Sequence, residues 1–303
     1  MNRDKAGDRV EIDGENTRFG PQKPTPGLYL VATPIGNARD ITLRTLDLLA
    51  TADVLAAEDT RSLRRLMEIH GIAVNGRPMI AYHDHNGNKA RPRLLADLAA
   101  GRSVVYASEA GTPMISDPGF DLARAAREEG ALVTSAPGAS AVVTALTIAG
   151  LPTDRFLFAG FLPNASGARK KVLSELAETQ ATLAFYESPK RLGAALKDAA
   201  STLGADRPAT VCRELTKKFE EARQGTLGEL AEHYATHPAK GEIVLLIGKA
   251  EKGNVSENLI QAEVEKALET MSVRDAADTV STMLGVKRRP VYQMAMHLAK
   301  TDD

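Results

Sequence analysis

Sorted into apolar and polar positions, the chain from Leu28 onward alternates between two periods. "LYLVA" is a short apolar run that predicts a strand. Leu43, Leu46 and Leu49 then recur at helical spacing. "DVLAAE" predicts a second strand, and the helix after it starts near Thr60 and is stopped by Gly71. "SVVYAS" (Ser103 to Ser108) and "ALVTSAPG" predict a third and a fourth strand. Strands alternating with helices predict a mostly parallel α/β sheet, with ligand loops at the carboxyl ends of the strands.

The texture changes after Gly150, at "LPTDRF". A second α/β domain, 151–250, is expected there, with "RFLFAGF", "ATLAFYES", "PATVCREL" and "GEIVLLIG" as strands. "KAEKGNVSEN" reads as a linker. Beyond it, 255–303 shows three helical patterns and no strand, the third opening after the basic turn "LGVKRRP". Residues 1–26 are polar and punctuated by proline, too poor in apolar groups to fold alone, and predict a disordered leader ahead of a first domain over 27–150. A length of 303 residues also predicts more than one domain.

Composition narrows the function classes. Lys plus Arg number 38 against 39 Asp plus Glu, a formal net charge of -1, so wholesale electrostatic binding of a polymer is not expected and any nucleic-acid contact must use local basic patches. Cys212 is the single cysteine, which rules out an intrachain disulfide and a cysteine-rich zinc site and fits a reducing compartment. No run of apolar residues is long enough for a membrane span, so a cytoplasmic protein is expected.

Three glycine-bearing loops follow strands in the first half: Thr33-Pro-Ile-Gly-Asn37, Ser108-Glu-Ala-Gly-Thr-Pro113 and Ala136-Pro-Gly-Ala-Ser140. Glycine lets a ligand approach the backbone and proline stiffens the rim. Each loop alone reads first as an ordinary strand-to-helix turn. Together, at the same ends of neighbouring strands, they would line one crevice with main-chain N–H and C=O groups. None matches the glycine pattern of a Rossmann site or of a P-loop, so a nucleoside-like ligand fits better than a polyphosphate.

"VATPIGNARDITLRTLDLLATADVLAAEDTR", "SEAGTPMISDPGF", "APGASAVVTAL" and "FYESPKRL" together resemble the ribosomal RNA small-subunit methyltransferase I family, the cytidine 2'-O-methyltransferases of the tetrapyrrole methylase superfamily. The resemblance covers about Leu28 to Gly248 and extends to the C-terminal helices. It implies two α/β domains with S-adenosylmethionine in the cleft between them, a homodimer, and methylation of a decoding-region cytidine of 16S ribosomal RNA in the small subunit. Carried over position by position, the superfamily's cofactor contacts fall on Pro34 and Gly36, on Ala110, Gly111, Thr112 and Ile115, and on Pro137, Ser140 and Ala141. The second domain adds Glu187 after "LAFY" and Leu215 after "VCRE". Glu109 stands where the family commonly has Asp.

An RNA acceptor needs basic groups, and short runs supply candidates: Arg61, Arg64 and Arg65 on one helical face, Arg169 to Lys171, Lys190 with Arg191, and Lys217 with Lys218. Any one of them alone reads first as a solvated face or a salt bridge. Lys287, Arg288 and Arg289 open the last helix of a helix-turn-helix-like tail, which could dock RNA or simply pack. For the chemistry, Glu58, Asp59 and Arg61 share one strand-to-helix turn and rank first as catalytic candidates. His83 and His85 in "YHDHN" lack the further ligands a metal needs, so no metal is expected. Two rivals remain at this level. A small-molecule methylase of the same fold is one, and a non-catalytic RNA-binding module led by the tail is the other.

Overall fold

A computed structural model of the protein describes residues 22–83, 85–114, 119–250 and 257–301. The leader up to residue 21, Asp84, Ile115 and most of the expected linker, 251–256, lie outside the described residues. By its contacts the chain groups into two units. The first runs to Ile148 and includes Cys212–Ala222; the second is Ala149–Val211 with Arg223 onward.

In the first unit the alternation resolves as β1 (Gly27–Val31), α1 (Leu43–Thr51), β2 (Val54–Ala57), α2 (Thr60–Ile69), β3 (Met79–Ala81), α3 (Gly87–Ala99), β4 (Ser103–Ala107), α4 (Phe120–Glu128), β5 (Val133–Ala136) and α5 (Ala141–Ile148). The strand order is β3-β2-β4-β1-β5, and every pairing among these strands is parallel. Strands β1, β2 and β4 are buried along their whole length, which is why they read as unbroken apolar runs rather than alternations. Odd and even positions still part to opposite faces. Leu28, Leu30, Val104 and Tyr106 pack with Leu94 and Leu122, while Tyr29, Val31 and Val105 pack with Leu49, Leu63 and Met67. Each fully buried Leu contributes roughly 1.5–3 kcal/mol. Thr42 caps α1 by accepting from the Thr45 N–H, and Asp59 caps α2 by accepting from the Arg61 N–H. Sequence periodicity did not predict β3, a strand of only three residues.

The second sheet holds β6 (Phe156–Phe161), β7 (Thr182–Glu187), β8 (Pro208–Arg213), β9 (Glu221–Thr226) and β10 (Ile243–Ile247) in the order β6-β7-β10-β8-β9. It is mixed: β6 runs parallel to β7, and β7 antiparallel to β10. Helices α6 (Ser166–Glu175), α7 (Leu192–Leu203) and α8 (Leu227–Thr236) accompany it. Leu173, Leu196 and Leu230 from these helices meet Leu183, Phe185, Val211 and Leu245 in one core. A capping box of Thr226 and Glu229 starts α8. Strand β9, "EARQGT", was not expected, because an edge strand of polar residues carries no apolar alternation.

Arg169 corrects the sequence reading. The run Arg169 to Lys171 suggests RNA contact, yet Arg169 is 4% exposed. Its guanidinium meets Asp198 Oδ2 at 2.6 Å through Nη2 and donates to the carbonyls of Pro163 and Asn164. It is a structural ion, tying the start of α6 to α7.

The C-terminal segment is α9 (Glu257–Leu268), α10 (Val273–Leu284) and α11 (Arg288–Thr301). Val264, Ala277, Val280, Val291 and Ala295 form its own small core. Ser272 caps α10, and Gly285, left-handed at φ 64, ends it. No helix among the described residues is long and apolar enough to cross a membrane.

Candidate active site

Register places the three glycine loops side by side. Val31 at the end of β1 lies opposite Ala107 of β4 on one side and Ala136 of β5 on the other. The chain therefore leaves all three strands at one carboxyl edge.

Main chain then knits the loops together. Thr33 and Gly111 exchange two backbone hydrogen bonds, at 2.9 and 3.0 Å, as an isolated antiparallel bridge. Thr33 Oγ1 donates to the Ser108 carbonyl, Ser108 Oγ donates to the Gly111 carbonyl at 2.8 Å, and Thr112 Oγ1 donates to the Ala139 carbonyl at 2.9 Å. Gly111 sits at φ +78, a conformation side-chain-bearing residues seldom adopt, and a Cβ there would stand 3.3 Å from Ile35 Cγ2. A Cβ on Gly138 would lie 2.8 Å from Ala32 Cβ. Pro137 is exposed, and Pro34, Ser140 and Ala141 are half-buried beside these contacts.

The turn between β8 and β9 also reaches this place. Asn37 donates its N–H to Thr216 Oγ1 at 3.1 Å. A Cβ on Gly36 would fall 2.9 Å from the Leu215 carbonyl oxygen and 2.5 Å from Lys217 Cγ. Leu215 itself is buried, and Lys217 pairs with Glu214 at 3.0 Å. Neither the Thr33–Gly111 bridge nor the Thr216 contact leaves a sequence signal, since both depend on loops brought together from distant stretches of chain.

At the carboxyl end of β2, Glu58 Oε2 accepts the Glu109 N–H at 3.1 Å and so fixes the loop after β4. Asp59 is engaged twice, by the Arg61 main-chain N–H at 2.8 Å and by the Arg61 guanidinium. Those hydrogen bonds, the guanidinium's first, hold its carboxyl down to about 2. The Arg61 side chain is otherwise open to solvent.

In the second unit, Glu187 ends β7 and is buried. Its Oε1 accepts from the Ser188 N–H and from Arg191, each at 2.6 Å, whereas Oε2 has no protein partner among the described residues. Arg191 is thereby held by a buried carboxylate, while neighbouring Lys190 is exposed.

Residues 27–231 match the family model described as Tetrapyrrole (Corrin/Porphyrin) Methylases, and residues 258–299 match the RsmI C-terminal HTH domain. The ribosomal RNA small subunit methyltransferase I of Mesorhizobium japonicum is 46% identical over 93% of this chain and 95% of its own. The chain belongs to the ribosomal RNA small subunit methyltransferase I family. Its counterpart from Haemophilus influenzae is 42% identical over 90% of this chain and 98% of its own. Among solved structures, the cobalt precorrin-4 methyltransferase CbiF aligns with a TM-score of 0.56 at 20% identity, over 73% of this chain and 94% of its own, a likeness of fold. The expected architecture of two α/β domains with a helical C-terminal region stands.

For a methyltransferase I the loops have the right chemistry. S-adenosylmethionine is a nucleoside-type cofactor without a polyphosphate, and the loops offer main-chain groups, small side chains and no lysine. The spaces a Cβ would fill at Gly111 and Gly138 show how close the loops run to one another. His83 and His85 stand with ring centroids 6.0 Å apart, and among the described residues no group of three His, Cys, Asp or Glu could hold a metal.

The basic candidates read from the sequence are placed unequally. Arg64 and Arg65 are exposed on α2, the latter 3.6 Å from Glu68. Lys287 and Arg289 are exposed at the head of α11. Arg288 is taken up by an ion pair with Asp278 and lies over the Tyr292 ring at 5.3 Å, so it links α10 to α11.

Proposed function

We propose that the protein methylates the ribose 2'-oxygen of a cytidine in the decoding region of 16S ribosomal RNA, within the small ribosomal subunit, and that it works in the cytoplasm as a homodimer. The observation that carries this reading is the main-chain cradle at the ends of β1, β4 and β5, rimmed by the charged turn Glu58–Arg61. When bound, S-adenosylmethionine supplies an already activated methyl group. Pro34, Gly36, Ala110, Gly111, Thr112, Pro137, Ser140 and Ala141 would hold it, so the protein's task is mainly orientation, worth up to about 7–11 kcal/mol.

A ribose hydroxyl is a weak nucleophile, and Glu58 is the group to accept its proton. Asp59 is a poor base with its carboxyl held near 2, and its role is to position Arg61. Arg61, Arg64 and Arg65 face RNA phosphates from α2, with Lys190, Lys287 and Arg289 as further contacts. An irregular, unpaired RNA segment suits this surface, since its bases can be splayed out and read.

The test supplies labelled cofactor with small-subunit particles and, separately, with naked RNA. Label should appear on a nucleotide whose 3' linkage resists alkali, because ribose methylation removes the attacking hydroxyl. Label on a base, or on a tetrapyrrole alone, overturns the assignment. Glu58→Gln keeps an oxygen for the Glu109 N–H but removes the base, and should lower kcat about 100-fold with cofactor affinity retained. Light scattering checks the dimer, and a monomer mass at assay concentration refutes it.

A further inference from the structure

The turn from Arg213 to Glu221 is built to display one ring. Glu214 and Thr216 both lie in the left-handed region, at φ 50 and φ 62, although neither is glycine. A β-branched residue there stores roughly 1–3 kcal/mol of strain, so the surroundings must hold it. They do. Arg213 Nε donates to Glu221 Oε2 at 2.8 Å across the base of the turn. Glu220 accepts the Thr216 N–H, Lys217 reaches Glu214 at 3.0 Å, and Leu215 is buried beneath. Asn37, in the loop after β1, donates to Thr216.

Further along the same turn stands Phe219, 63% exposed. The ammonium of the exposed Lys218 lies over that ring, with Nζ 5.4 Å from its centroid. A single aromatic face beside a cation, on a turn already ordered, is a poor seed for an apolar protein interface, which needs a wider patch. It matches a flat base followed by a phosphate, and a rigid platform loses little entropy when a base stacks on it.

We propose that Phe219 is a stacking platform for an unpaired base of the RNA acceptor, with Lys218 meeting the adjoining phosphate. The inference rests on RNA being the acceptor. The Thr216–Asn37 contact ties the turn that carries the ring to the loop that would hold the cofactor, so the stacked base registers the acceptor strand against that loop.

The chain contains no tryptophan, so Phe219→Trp installs a single reporter at the platform. Its emission should be quenched by a short single-stranded oligocytidylate and not by an abasic strand of equal charge. Phe219→Leu should weaken oligocytidylate binding and lower kcat/KM for the ribosomal acceptor, each about tenfold, with calorimetric affinity for S-adenosylmethionine unchanged and Phe219→Trp restoring both. Wild-type RNA affinity in Phe219→Leu, or equal quenching by both strands, overturns the platform and leaves the ring to a protein partner. A wild-type enzyme that methylates no RNA defeats the acceptor assignment instead, so the two failures are distinct.

Discussion

The carboxyl edge of the first sheet and the interior of the second unit solve the problem of holding loops in opposite ways. In the first, Thr33, Gly111, Thr112 and Ala139 are tied by main chain and hydroxyl groups, and no charge is buried among them. In the second, charges go inside: Arg169 with Asp198, Glu187 with Arg191, and Arg207 donating to the Gly248 and Ala177 carbonyls. A main-chain cradle keeps side chains out of a ligand's way and tolerates little added volume. A buried ion pair adds little net stability, yet removing one partner strands the other charge in an apolar interior. Substitutions in the first place should therefore cost binding, and in the second, folding.

The sharpest break of that contrast is Arg169→Ala. It should lower stability by about 3–5 kcal/mol in a denaturant titration, because Asp198 would be left buried and unpaired. Burial works to raise the Asp198 carboxyl, but the hydrogen bonds from Arg169 and Ser166 outweigh it and hold it below the usual range. A loss no larger than that of exposed Lys170→Ala would show that the pair is not structural. Next comes Gly111→Ala. At φ +78 an alanine costs roughly 1–2 kcal/mol, a shift of a few degrees in Tm, while calorimetric affinity for S-adenosylmethionine should fall at least tenfold. Undiminished affinity would remove the second loop from the site.

A smaller effect belongs to Asp53, which accepts from Lys23 and from the N–H and hydroxyl of Ser103. Lys23's hydrogen bond, then Ser103's, lower its carboxyl from 3.8 to about 2. A depressed carboxylate stabilises above its unfolded pKa and loses that contribution as pH falls through the folded one. Asp53→Asn should therefore cost about 1 kcal/mol at pH 7, and the gap should close between about pH 4 and pH 2. A gap independent of pH would assign the loss to packing. Smallest in energy is the Cys212 thiol, fully buried and pushed up to about 11 by burial. Iodoacetamide at pH 8 should leave it unmodified in the folded protein and label it once guanidinium unfolds the chain.

The first sheet was legible because buried parallel strands write themselves as apolar runs, and four of its five strands were expected from "LYLVA", "DVLAAE", "SVVYAS" and "ALVTSAPG". Met79–Ala81 escaped because three residues cannot establish a period, and Glu221–Thr226 because an edge strand facing water need not be apolar. The glycine loops announced their adjacency, since each follows a strand at the same end of the sheet. What holds them together did not, since the partner of Asn37 is Thr216 and that of Glu58 is the backbone of Glu109. The same limit disguised Arg169: its neighbours Lys170 and Lys171 suggest a basic patch, and only the fold supplies Asp198.

Strand order has a consequence for the chain as it is being made. β1 leaves the ribosome first, but both of its neighbours, β4 and β5, are encoded well downstream, the second about a hundred residues later. At roughly 5–20 residues per second, β1 waits some 5–20 seconds before its second edge can pair. During that interval "LYLV" is an unsatisfied apolar strand, the kind of segment that chaperones shield. The position between β4 and β5 that sets the three loops in register thus leaves β1 waiting longer for its partners than any other strand of this sheet.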